Sequence, residues 1–407
     1  MKTQEIVEAI AGKAILAPLT RGGTPAFRAL CASYGAEITM GEMAFAKFLL
    51  KGDRKEAARL RRHESETVFG AQIATNTIDE GARACAVAAE RGCDWVDLNC
   101  GCPIYEATRR GLGSALLRKP PKLARLVSGI VAESDLAVSV KIRLSPSGDD
   151  DVNFPEVLEL LSELGDLAPA FVSVHGRTTT ARYKTAANWT AVEAAARGPL
   201  PVVGNGDILT YYEAEARREA APSTHAIMIG RGALTTPWLF DELRSRDVWL
   251  PRAAERVDVY WHLATLFKAH FGDDERGRSA AWYFFPWHFD FLTRWRPLPE
   301  DAFGDMAKRR PLVQSSREVD DVLIKLEGPL SSLDPLEQLL RCPIPEAHNL
   351  MAAALWDAGS SKDAVAALDR LATPDNLATW AAAKTAASGT ADELEGHTPR
   401  RGKRKSQ

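Results

Sequence analysis

The sequence predicts an α/β protein, a (β/α)8 TIM barrel followed by a smaller all-helical C-terminal domain. Three observations carry that expectation. Eight short runs rich in Val, Ile and Leu recur through the first 245 residues, separated by stretches with helical apolar spacing. Nearly every run ends in polar or charged residues that a buried strand has no packing use for. Glycines also crowd the ends of the last two runs, just ahead of the following helices. Repeated strand–helix alternation builds a closed parallel barrel whose strand C-termini converge on one face. A doubly wound open sheet competes, but it has no reason to stop at eight units.

Taken in order, the runs are "AILAPL" from Ala14, "AEITMGE" from Ala36, "VFGAQIA" from Val68 and "WVDLNCG" from Trp95. They continue with "AVSVKIRL" from Ala137, "FVSVHGR" from Phe171, "PVVGNGD" from Pro201 and "AIMIGRG" from Ala226. Between them, "EGARACAVAAERG" and "NFPEVLELLSELG" space their apolar residues as amphipathic helices do. The barrel is expected over residues 1–245, a helical domain over 250–350, a further helical segment over 351–385, and a basic, disordered tail over 386–407. Within the helical domain, "RSAAWYFFPWHFDFLTRWRP" carries Arg278, Arg294 and Arg296 among aromatics at helical spacing. The aromatics read as core before they read as a base-stacking platform, while the arginines can face RNA.

Composition narrows the class. With 51 basic and 54 acidic residues the net charge is -3, so overall charge does not announce a nucleic-acid partner. The terminal "TPRRGKRKSQ" holds Arg400, Arg401, Lys403, Arg404 and Lys405, a run that serves as a solvated tail, a nucleic-acid arm or a nuclear address. Six cysteines are too few for a disulfide scaffold and suit a reducing compartment. The N-terminus lacks a leader's apolar core, and no run of about 18 apolar residues is present to span a membrane. A cytoplasmic protein is expected, with the nucleus as a second address, and a monomer is the default.

The strand ends supply the chemistry. Thr20-Arg21, Glu42, Gln72, Asn99 to Cys102, Lys141 and Arg143, His175 and Arg177, Asn205 to Asp207, and Arg231 all fall at the barrel mouth. Singly, each reads as a capping or salt-bridged residue; together they describe a polar, cationic pocket. "GNGDIL" and "IGRGAL" put glycines where backbone N–H groups approach a phosphate, with Arg231 alongside, although such glycines also make plain tight turns. A mononucleotide such as FMN suits a barrel without a GxGxxG element. Cys100 and Cys102 lack the paired spacing of a zinc site, so no metal is expected, and a disulfide across one residue would be strained. A thiol held over the pocket remains, acting as nucleophile or proton donor. Lys141 and Arg143 share a strand face; they could serve a flavin edge and a substrate carbonyl, or an inert ion network.

"LNCGCP" followed by "RRGLGSALL", with "APLT", "GAQ", "VKIRLS", "VHGRT", "GNGDI" and "IGRGAL" in this order, resembles the tRNA dihydrouridine synthases over roughly residues 10–245. "GEMAFAKFLLKG", "RYKTAANWTAV" and "ALTTPWLFDEL" are similar to the eukaryotic branch acting at position 47 of the variable loop, without its zinc-finger region. The resemblance implies an FMN enzyme that uses NADPH to reduce the C5=C6 bond of a tRNA uridine, hydride arriving at C6 and a proton from Cys102 at C5. Pro18, Leu19 and Thr20 would line the FMN; Gln72 and Lys141 would bond its ring, and His175 would contact it. Asn205, Gly206, Asp207, Gly230 and Arg231 would hold its ribityl phosphate end. Asn99 and Arg143 would orient the uracil, with Arg177 on the substrate side. Two rivals stand: an FMN barrel oxidoreductase acting on a small molecule, and a barrel that has lost catalysis and only binds RNA.

Overall fold

In the computed structural model, residues 1–145, 154–181 and 183–388 are described. The strands are β1 (Ala14–Leu16), β2 (Ile38–Met40), β3 (Ala44–Phe45), β4 (Val68–Ala74), β5 (Trp95–Asn99), β6 (Ala137–Arg143), β7 (Val172–His175), β8 (Val202–Asn205) and β9 (Ala226–Ile229). All pairings are parallel. Order β2-β1-β9-β8-β7-β6-β5-β4 closes on itself through Ile38↔Val68 and Met40↔Gly70, which is the eight-stranded (β/α)8 barrel. The two-residue β3, which the apolar pattern is too short to signal, extends β4 at Ala44↔Ile73. Parallel strands buried on both faces need apolar side chains outward, and Val96, Val138, Val140, Val172 and Val174 meet that need.

The far end of the barrel is sealed. The helix Thr3–Ile10 places Ile6 and Ile10 in a cluster with Met40, Trp95, Phe171 and Met228. It is tied down by the Met1 ammonium on the Asp94 carbonyl at 2.7 Å and by His225 Nε2 on the Val7 carbonyl at 2.8 Å. The interior therefore opens at the strand C-termini.

From Ala253 onward the described chain is helical. The 19-residue helix Ala253–Phe271 packs on the first barrel helix, Pro25–Ser33, and the helices Pro345–Asp357 and Ser361–Leu371 pack on it in turn. One hydrophobic cluster runs without a break from Leu16 and Phe27 through Tyr260, Phe267 and Phe289 to Trp356 and Trp380. The division expected at residue 350 falls inside Pro345–Asp357. The aromatic stretch forms two helices, Glu275–Ala281 and Phe285–Leu292, with Phe285, Phe289 and Leu292 fully buried as core. Of the expected tail, residues 386–388 end the helix Pro374–Ser388, and 389–407 lie outside the described residues. No described helix is long and apolar enough to cross a membrane.

Candidate active site

The two cysteines after β5 separate by burial. Cys100 is buried in the core, its N–H on the Lys141 carbonyl at 2.9 Å, and burial pushes its thiol far up. Cys102 is half-buried at the mouth, the one cysteine of the chain that is not fully buried. Burial raises its pKa; a backbone N–H from Ile104 and the charges of Arg143 and Lys141 pull the other way. The Asn99 side chain shapes the turn, its Oδ1 accepting from the N–H of Gly101 at 3.3 Å and of Cys102 at 2.9 Å. From below, Gly113 at φ +60° lets the "RGLGS" segment fold against the Cys102 carbonyl, which accepts from Ser114 N–H at 3.0 Å.

Cations surround this thiol. Because side chains alternate, Ser139, Lys141 and Arg143 share the interior face of β6. Lys141 Nζ crosses the barrel to Asn205 Oδ1 at 3.0 Å, and the Asn205 amide is fixed by donating to the Met228 carbonyl at 2.8 Å. Desolvation, with Arg143 as second cause, lowers Lys141 to about 8. Arg143 is buried, with Nε on the Gly101 carbonyl and Nη1 on the Thr178 carbonyl, each at 3.0 Å, so it ties the cysteine turn to the loop after β7. His175 lies between these cations; burial, then the charges of Arg143 and Lys141, hold it well below the usual imidazole range and so neutral.

The loops after β7, β8 and β9 meet at Asp207, a non-glycine residue at φ +53° next to Gly206 at +137°. Its buried carboxylate accepts from Arg177 at 2.6 Å on both oxygens, from the Ala187 N–H at 2.7 Å and from Arg231 at 3.2 Å. Arg177 is 2% exposed, and its Nη1 lies 3.4 Å from His175 Nε2. Arg231 is partly exposed, its guanidinium over the Tyr183 ring at 3.9 Å. Pro18 and Leu19 are half-buried and Thr20 exposed in the loop after β1, where Leu19 lies beside Gly230. Arg294, exposed on the helical region, lies near enough for its charge to act on Arg231, and Arg21 at φ +63° stacks on the exposed Tyr283 at 4.3 Å. Arg278 instead pairs with Asp357 at 2.6 Å, and Arg296 lies 3.9 Å from Asp320.

The expected residues thus gather at one end of one barrel. Sequence reasoning missed Asp97 and Ser139, which lie under them in the interior, and Tyr183 beneath Arg231. A polar residue inside an apolar strand, as in "WVDLN" and "AVSVK", was the available signal. Among the described residues no group of three or more His, Cys, Asp or Glu could hold a metal ion.

Residues 15–283 match the family described as dihydrouridine synthase. A Homo sapiens protein named tRNA-dihydrouridine(47) synthase-like is 36% identical over 293 residues, 71% of this chain and 44% of its own length. A Xenopus tropicalis protein of the same name is 35% identical over 338 residues, 82% of this chain and 52% of its own. The chain spans about half the length of the curated relatives it matches. Among solved structures, an old yellow enzyme homologue from Zymomonas mobilis superposes with TM-score 0.42 at 13% identity, covering 59% of this chain and 89% of that one.

Proposed function

The chain belongs to the dihydrouridine synthase family, and from that premise we propose that it reduces the C5=C6 bond of uridine in tRNA to 5,6-dihydrouridine, using FMN and NADPH, at position 47 of the variable loop. The position rests on the names its relatives carry. The observation that carries the reaction is the half-buried Cys102 thiol, held by Asn99 beside Lys141 and Arg143.

The donor set fits a flavin mononucleotide. Lys141 gives one N–H to Asn205, which leaves two for a ring edge, and Gln72 keeps one N–H and one carbonyl lone pair beyond its two side-chain bonds. Arg231 and the Gly206 and Gly230 backbone suit a phosphate end, while Pro18, Leu19 and Thr20 line the flank. In this reading Asp207 acts through Arg177 and Arg231, whose guanidinium groups it fixes. Bound there, FMN in its reduced form would supply a hydride, with NADPH as the reductant.

The chain's own groups do the rest. Arg143 and Asn99 orient the uracil, and the positive charge of Lys141 and Arg143 stabilises the enolate-like charge that develops on the O4 side. Cys102 keeps its proton at neutral pH because burial raises its pKa, and delivers it to C5. Neutral His175 adds no charge. Arg294 grips the RNA backbone beside the mouth, and the uridine enters out of its stack.

The test pairs wild type with Cys102→Ala in NADPH-dependent dihydrouridine formation on unmodified tRNA. Yellow protein, product in wild type only, and product mapped to position 47 are expected. A yellow protein that oxidises NADPH but turns over only small enones would move the reading to a small-molecule oxidoreductase. A colourless protein that binds RNA would remove the catalytic reading.

A further inference from the structure

We propose that Asp97 is a positioning residue for Cys102, acting through a chain of hydrogen bonds whose donors all point toward its carboxylate. The inference rests on Cys102 as the proton donor, but it concerns Asp97, Ser139 and Trp95, buried beneath that thiol, to which nothing above gives a part in the reaction.

Both ends of the chain consist of groups that can only donate. At the lower end the Trp95 indole N–H donates to Ser139 Oγ at 3.2 Å, and the Ser139 hydroxyl donates onward to Asp97 Oδ1 at 2.6 Å. At the upper end the backbone N–H groups of Gly101 and Cys102 donate to Asn99 Oδ1. That turns the Asn99 amide nitrogen toward Gln72 Oε1, at 2.8 Å. The Gln72 nitrogen must then face Asp97 Oδ2, also at 2.8 Å.

Flipping either amide would set donor against donor or acceptor against acceptor. Where two donating arms meet, the group between them must accept on both sides, and an ionised carboxylate does so. The chain lies out of water: Trp95, Asp97 and Ser139 are 0% exposed, Gln72 2% and Asn99 8%. A mispaired link there has no solvent to rescue it. The polarity set at Asp97 therefore reaches the turn that carries the thiol.

This polarity yields a specific rescue. Asp97→Asn brings an N–H to the junction, so one arm must break or invert. Inversion through Gln72 would turn the Asn99 nitrogen against the Cys102 N–H and loosen the turn. Adding Gln72→Glu gives every group a complementary partner again, with the bond between positions 72 and 97 reversed. Ser139 then donates to the carbonyl of the new amide at position 97, the nitrogen of that amide donates to the carboxylate at position 72, and Asn99 again donates to that carboxylate.

The direct readout is alkylation of Cys102 by iodoacetamide in the flavin-loaded protein, located by mass spectrometry, since the other cysteines are buried. Asp97→Asn is expected to speed it about threefold or more and to lower kcat about tenfold with KM for tRNA nearly unchanged. Because Gln72 also faces the flavin, the double variant is compared with Gln72→Glu alone at equal flavin content, and it is expected to return alkylation to the wild-type rate where Gln72→Glu alone does not. Wild-type alkylation in Asp97→Asn, or a double variant no better than the single, overturns the proposal. Should the single variant not fold while the double does, with a wild-type thiol, the chain is supported. Should neither fold, Asn99→Asp, which opposes two oxygens at Gln72, is read in the same assay, and wild-type alkylation there refutes the chain. Alkylation needs no RNA, so failure of the tRNA reading alone would leave this result standing.

Discussion

A thiol is useful as an acid only while it holds its proton, and a lysine stabilises negative charge only while it holds its own. Cys102 and Lys141 are tuned in opposite directions by the same burial, the thiol upward and the ammonium down to about 8. Cys102→Ser keeps the shape but substitutes a far weaker acid, so a loss in kcat of about 10²–10⁴ is expected in single-turnover reduction of tRNA, with flavin content unchanged. The alkaline side belongs to Lys141. Below pH 8 it is charged and attracts the developing anion; above it the charge is lost, so kcat/KM should fall as pH rises through about 8. The same burial has a cost in the flavin-free protein. Lys141 has a folded pKa below its ordinary 10.5, so the unfolded chain binds more protons between about 8 and 10.5 and stability rises with pH across that window. Lys141→Met should therefore raise flavin-free stability at pH 7 by about 1–3 kcal/mol in chemical denaturation, while abolishing turnover. A variant that is less stable and still active would contradict both halves.

At the scale of the element, the turn after β5 depends on a close approach. A Cβ on Gly113 would collide with the Cys102 carbonyl oxygen, and its φ of +60° disfavours any other residue. Gly113→Ala should cost about 1–3 kcal/mol and displace the cysteine turn, read as a changed iodoacetamide rate at Cys102 with a retained far-UV spectrum. Gly113 also marks how far sequence reading reaches. The eight barrel strands were legible because parallel strands must be apolar on both faces, and each apolar run contains its strand. The mouth was legible because lysine, arginine and asparagine at strand ends serve no packing purpose. Hydrogen-bond direction was not legible: Gln72, Asp97 and Ser139 sit on three neighbouring strands, and only register brings Gln72 opposite Asp97 and Asp97 opposite Ser139. Nor was the fate of Arg177 and Asp207, whose pairing at 2.6 Å depends on two loops about thirty residues apart folding together. The aromatic stretch was legible as core; its break between Ala281 and Phe285, which leaves Tyr283 exposed against Arg21, was not.

For the molecule as a whole, the seam between barrel and helices holds Tyr283 against Arg21 and keeps Arg294 near Arg231. Helix Ala253–Phe271 and helix Phe285–Leu292 are seated on the barrel through Phe27, Tyr260, Phe267 and Phe289, all fully buried. In the middle of that seam lies a polar group with no evident structural use. His288 is fully buried, stacked on Phe27 at 4.7 Å and tilted toward Phe267 at 5.8 Å, and neither ring nitrogen meets a hydrogen-bond partner among the described residues. Burial alone pulls its pKa to about 3. From an ordinary 6.5 down to about 3 the unfolded chain takes up a proton that the folded seam refuses, so stability falls as pH falls through that window, by up to about 1.4 kcal/mol per pH unit. His288→Leu removes two unpaired polar atoms and the proton uptake together. It should gain about 1–3 kcal/mol at pH 7 and lose less stability than wild type at pH 5 and pH 4 in urea denaturation. A parallel loss in both proteins would show that the imidazole is paired at the seam. Because Tyr283 and Arg294 flank helix Phe285–Leu292 on either side, a tightened seam should leave KM for tRNA unchanged, and a raised KM would mean that the helices must move for RNA to enter.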